Sequence, residues 1–166
     1  MMTKFLTSIV LIVGSIIAGA VHTVGEEPYA PHQAVELSPS LLDVLRAEMR
    51  ALAEGVQSIA LALPTADWKT IQDTSSKMQA SYIMEKKLTP AQAKELAQVL
   101  PAHFKQLDTE FHQRAARLGV AAAAHDPELV AFHYARLVES CAVCHAAYAR
   151  SRFPGFAPPG AQRHHH

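Results

Sequence analysis

"SPSLLDVLRAEMRALAEGVQSIALALP", residues 38–64, decides the fold class. Leu42, Leu45, Met49, Leu52, Val56, Ile59 and Leu63 recur in alternating steps of three and four. On a helical period those steps make one continuous apolar stripe. Ser38-Pro39 suits a helix start, because a hydroxyl can accept a free backbone N–H and proline lacks one that would need a partner. Pro64 ends the run. A long helix with one apolar face requires other helices to cover that face.

They follow in order. After Thr65 a second helix presents Trp68, Ile71, Ser75, Met78 and Tyr82 on one side, a more polar face than the first. Thr89-Pro90 starts a short connecting helix over residues 90–99, and Pro101 opens another long one. Its stripe is Phe104, Leu107, Phe111, Ala115, Leu118 and Ala122. His125-Asp126-Pro127 breaks the chain and caps a last helix whose stripe is Val130, His133, Leu137, Cys141 and Cys144. Four long helices, each with one apolar face and short links, predict an all-α antiparallel four-helix bundle. Neither a strand pattern nor an internal repeat occurs.

The chain has 166 residues, enough for one domain with a sizeable core. Fifteen basic residues balance fifteen acidic ones, so nothing in the charge calls for nucleic acid. The start of the chain is different in kind. Lys4, the almost wholly apolar residues 5–17 and the small residues Ala18-Gly19-Ala20 have the layout of a secretory signal peptide, cleaved after Ala20. An uncleaved membrane anchor is the competing reading. Either places the domain outside the cytoplasm, in a bacterial periplasm. Residues 21–37 form a flexible lead-in, residues 38–153 the folded domain, and residues 154–166 a tail. His164, His165 and His166 read as part of a purification tag or as native, and are set aside from the site.

Chemistry gathers at "ESCAVCHAAYA", residues 139–149, which holds the only two cysteines, with a histidine directly after the second. A thiol–disulfide redox pair wants its first cysteine at a helix N-terminus, where the dipole lowers the thiol pKa. Here the pair lies late in the last helix. A structural zinc site needs four ligands, and Cys141, Cys144 and His145 supply at most three. Haem attachment fits the spacing. In C-x-x-C-H the two thiols add to the haem vinyl groups and the histidine reaches the iron. Three residues are about one helical turn, which sets both sulfurs along one edge of the macrocycle. The expected cofactor is one covalently attached haem c, near the C-terminal end of the last helix.

A secreted four-helix bundle of this size with one C-x-x-C-H late in its last helix resembles the cytochrome c-prime family, over about residues 38–153. Cys141, Cys144, His145 and the aromatic Tyr148 carry the resemblance. It implies thioether anchors at Cys141 and Cys144, a proximal iron ligand at His145, and a distal residue from the first helix. Relatives usually have a basic residue after that aromatic, where this chain has Ala149 and then Arg150. Relatives are often homodimers through their first two helices.

The distal residue decides the function. Met49 is the candidate ligand, giving a six-coordinate one-electron carrier that exchanges electrons with a redox partner protein. If Leu45 or Leu52 stands there instead, the iron stays five-coordinate and binds nitric oxide or carbon monoxide. Met78 and Met84 are further thioethers on the second helix. His133 shares a helix with His145 and so does not reach the opposite haem face, while His103 and His112 are expected at the solvent boundary. Trp68 and Tyr82 read as core fillers that could edge the haem. Lys86, Lys87, Arg46, Arg50, Arg114 and Arg117 read as solvated faces, with propionate or partner contacts as the alternative. Gly55 marks a close approach, by another helix or by the macrocycle. A haem-free thiol oxidoreductase is the third functional reading. No grouping of acid, base and nucleophile suggests an enzyme.

Overall fold

A computed structural model describes residues 35–82 and 87–157; the expected signal segment, Met84, Lys86 and the final residues lie outside them. The described residues form five α-helices: α1 Pro39–Ala62, α2 Trp68–Gln79, α3 Pro90–Val99, α4 Ala102–Ala123 and α5 Pro127–Tyr148. No strand occurs among them, and none of these helices is long and apolar enough to cross a membrane.

The expected start signals operate as caps. Ser38 Oγ accepts the Leu41 N–H (3.4 Å) and Asp126 accepts that of Leu129 (2.9 Å). Thr89 and Gln92 close a reciprocal capping box. Pro101 stands one residue earlier than expected, as the N-cap of α4. The second helix begins later than its sequence suggests. After α1 a 3-10 turn at Leu63–Thr65 carries the chain to Asp67, which accepts the Thr70 N–H (3.1 Å) and caps α2. Tyr82 lies beyond the end of that helix.

The bundle is built from α1, α2, α4 and α5, with α3 as a connector tied to the start of α1. Glu95 of α3 accepts both the Ser38 N–H (2.6 Å) and the Ser38 hydroxyl (2.8 Å). Contacts of opposite sense along each pair make neighbours antiparallel. Glu48 meets Ser81 while Gly55 meets Thr74, and His103 meets Tyr148 while Arg114 meets Ser140. Ile59, Ile71, Met78, Ala115, Leu118, Ala122, Val130 and Leu137 are fully buried and form the core.

In α1 the buried line runs beside the stripe and shares Ile59 with it, while Leu52, Val56 and Leu63 pack against the edge of the core. Leu41, Glu48, Gly55, Ile59 and Ala62 are the buried positions, so Met49 is not a core residue: it is 40% exposed. Packing of α2 is the reason. A Cβ on Gly55 would stand 2.5 Å from Met78 Cε and 2.7 Å from Tyr82 Oη, so it is a helix and not a macrocycle that approaches there. Glu48 accepts the Ser81 hydroxyl (3.0 Å) and the Tyr82 N–H (2.9 Å), which gives its buried carboxylate partners and pins the exit of α2 to α1. Glu48→Ala should therefore cost about 1.5–3 kcal/mol, the range for hydrogen bonds to a charged group. Denaturant midpoints would measure this; a change within about 0.5 kcal/mol, typical of surface sites, would mean the contact contributes nothing.

Candidate functional site

The bundle's four sides are not closed alike. The α1–α2, α2–α4 and α4–α5 pairs pack along their lengths, whereas among the described residues α1 and α5 lack such packing. They are joined by a hydrogen bond in which the Tyr134 hydroxyl donates to the Val56 carbonyl (3.3 Å). Counting equal steps from that pair along two antiparallel helices puts Leu45 level with His145, Met49 with Cys141 and Leu52 with Val138. Helical spacing keeps Leu45, Met49 and Leu52 on the stripe of Val56. It likewise keeps Val138, Cys141 and His145 on the stripe of Tyr134. Met49 and Val138 are the exposed apolar side chains on these stripes, at 40% and 38%, while Leu52, Val56, Tyr134 and Cys141 are partly buried against the edge of the core.

Cys141 and Cys144 are free thiols, both half-buried and one turn apart. Cys141 Sγ makes a weak contact to the Leu137 carbonyl at 3.8 Å. Burial pushes the Cys141 thiol up and that of Cys144 up to about 11, with the nearby Asp108 and Cys141 adding to the latter. Burial lowers the His145 pKa below its ordinary value, favouring the neutral imidazole with a nitrogen lone pair to offer. The His145 N-terminal neighbours are thus protonated thiols, poor as redox nucleophiles at neutral pH. Among the described residues no three His, Cys, Asp or Glu side chains converge as a metal site would need.

These residues fit haem c. Two thiols stand on one turn beside a neutral imidazole, and partly exposed apolar residues, Met49 on α1 and Val138 on α5, lie near them. The family model described as Cytochrome C' matches residues 34–149. The chain belongs to the cytochrome c' family. Neither the curated proteins nor the solved structures searched contain a match. Membership makes the chain one of a haem-binding class of c-type cytochromes, and its C-x-x-C-H at residues 141–145 lies within the matched span.

Around this cytochrome c' motif the surroundings are more connected than the sequence suggests. Tyr148 is held from α4, its hydroxyl 3.0 Å from His103 Nδ1 and its ring edge-on to Phe104 at 5.1 Å. Arg114 is not a solvated arginine. It donates to the Arg136 carbonyl (2.6 Å), Glu139 (3.1 Å) and Ser140 (2.9 Å), clamping α4 to the turn of α5 just before the cysteines. Arg46 pairs loosely with Asp43 at 3.7 Å, while Arg50, Arg117 and Lys87 are exposed.

The other candidates fall elsewhere. His133 is half-buried against Phe132, and His112 donates Nδ1–H to the Met78 carbonyl (2.8 Å). Met78 is fully buried in the core, where its Cε fills the space beside Gly55. Trp68 does not edge the site. It stacks on His125 at 5.8 Å, beside the start of α5, a helix of 22 residues that bears His145 in its last turn. At about 1.5 Å per residue this is most of the bundle's length.

Proposed function

We propose that this chain is a periplasmic one-electron carrier with one haem c, anchored through Cys141 and Cys144 and ligated by His145 and Met49. The observation that carries the reading is the register of the α1–α5 opening, where Met49 lies on the facing stripe, level with Cys141. Helical side chains lean toward their own N-terminus. In an antiparallel pair, His145 leans toward the level of Met49 and Met49 toward that of His145. Its partial exposure leaves the thioether available, unlike that of Met78. When bound, the haem supplies iron that changes charge by one electron, with a potential raised by thioether ligation. The residues' part is to fix that group on a rigid helix and exclude water with apolar side chains. An exported location agrees with the signal-like first 20 residues, and the carrier role requires a redox partner protein.

A second reading keeps the haem but leaves its sixth position to nitric oxide or carbon monoxide. It is favoured by Leu45, which is level with His145 on the same stripe as Met49. The raised thiol pKa values argue against the haem-free thiol oxidoreductase.

Absorption spectra separate the two haem readings. With Met49 bound, the oxidised protein shows the weak far-red band of sulfur-ligated iron and the reduced protein ignores carbon monoxide. Met49→Leu then removes the far-red band and creates a carbon monoxide response. A wild-type protein that already binds carbon monoxide fully, with spectra unchanged by Met49→Leu, would sink the carrier reading and favour gas binding.

A further inference from the structure

Beyond α5 the chain does not leave the site. The Ala149 N–H donates to the His145 carbonyl (2.9 Å), and the N–H groups of Arg152 and Phe153 both donate to the Ala149 carbonyl (3.0 Å each). Residues 149–153 are thereby drawn into a tight reversal, followed by a 3-10 turn at Pro154–Phe156. The reversal lays the Phe153 ring over the His145 imidazole, with centroids 4.5 Å apart and planes 21° from parallel. The Arg152 guanidinium lies 5.8 Å from the Phe153 centroid.

Core packing does not account for this placement. Phe153 is 36% exposed and stands outside the core cluster. Ala149, one turn on, carries only a methyl, and Tyr148 is engaged with His103 and Phe104. A histidine ring in the last turn of a helix has a broad, soft torsion about its outer bond. A nearly parallel aromatic ring at this distance narrows it, since offset-stacked pairs hold a preferred geometry.

We propose that Phe153 is a positioning residue for the proximal histidine. Stacked on His145, it sets the plane in which the imidazole is presented to the iron and closes one imidazole face to solvent and small competing ligands. The inference rests on the reading of His145 as an axial ligand, and its test keeps the two apart.

The protein, Phe153→Ala and Phe153→Tyr are each made in a host that attaches haem c. Denaturing gels stained for haem report attachment. Proton NMR of the oxidised proteins then reads the paramagnetically shifted haem methyl resonances, whose order and spread follow the orientation of the axial imidazole. Phe153→Ala should reorder or compress these shifts and add a second set of resonances. The population of rotated imidazole should rise about two- to tenfold, the range for loss of one aromatic pair. Phe153→Tyr keeps the stacking ring and should retain the wild-type pattern. Far-UV circular dichroism should match in all three, because the tail is outside the core. Haem-loaded Phe153→Ala with wild-type methyl shifts would overturn the role of Phe153 and leave the haem reading standing. A wild-type chain without haem would remove both.

Discussion

Replacing Cys141 and Cys144 together with serine should abolish covalent haem while leaving the bundle folded. Both sulfurs lie beyond Leu137, the last fully buried leucine of α5; Cys141 only borders the core formed by Ile59, Ile71, Leu118 and their neighbours, and serine is close to cysteine in size. In a host that attaches haem c, wild-type protein should stain for haem after denaturing electrophoresis and the double variant should not. Each single variant should stain weakly, held by one thioether. The α-helical circular dichroism of the double variant should persist. Haem staining that survives loss of both sulfurs would refute attachment at this site.

Leu118→Ala should be the most damaging single change to stability. Leu118 is fully buried on α4, the helix that packs against both α2 and α5. Truncating a buried leucine removes transfer energy and leaves a cavity, together about 2–5 kcal/mol. Total stabilities are about 5–15 kcal/mol, so this is a large fraction. For a chain of this size the thermal midpoint should fall by about 5–20 °C. Leu61→Ala is the control: Leu61 is 77% exposed, and its loss should stay within about 0.5 kcal/mol. Equal effects at the two sites would mean that the core is not centred where α2, α4 and α5 meet.

The C-x-x-C-H was legible because its meaning lies within one turn of helix: the identities and spacing of Cys141, Cys144 and His145 constrain the chemistry wherever the helix packs. Caps were legible for the same reason, as at Ser38, Thr89 and Asp126, where a side chain satisfies an N–H a few residues away. Glu48 and Arg114 were not. Each reads as a solvated charge on its own helix, and only donors and acceptors from other segments make their burial tolerable. A polar residue on an otherwise apolar line one position off the chosen stripe was the available signal for Glu48. For Phe153 there was none, since a turn through Ala149 returns it to His145.

Met49 and Trp68 show how such readings divide. Periodicity put both on inward faces; Trp68 packs against the core, while Met49 is 40% exposed. Yet Met49 borders the α1–α5 opening level with Cys141, while Trp68 stacks on His125 at the far end. The amino-acid sequence by itself determined an all-helical chain, its helix starts and a thiol–thiol–imidazole group on one turn, because these follow from contacts within a few residues. Tertiary structure alone decided which helices leave a side open, which residues stand level across it and which charges are buried. Those depend on how one helix is rotated and shifted against another, and a stripe's period is the same for every such shift.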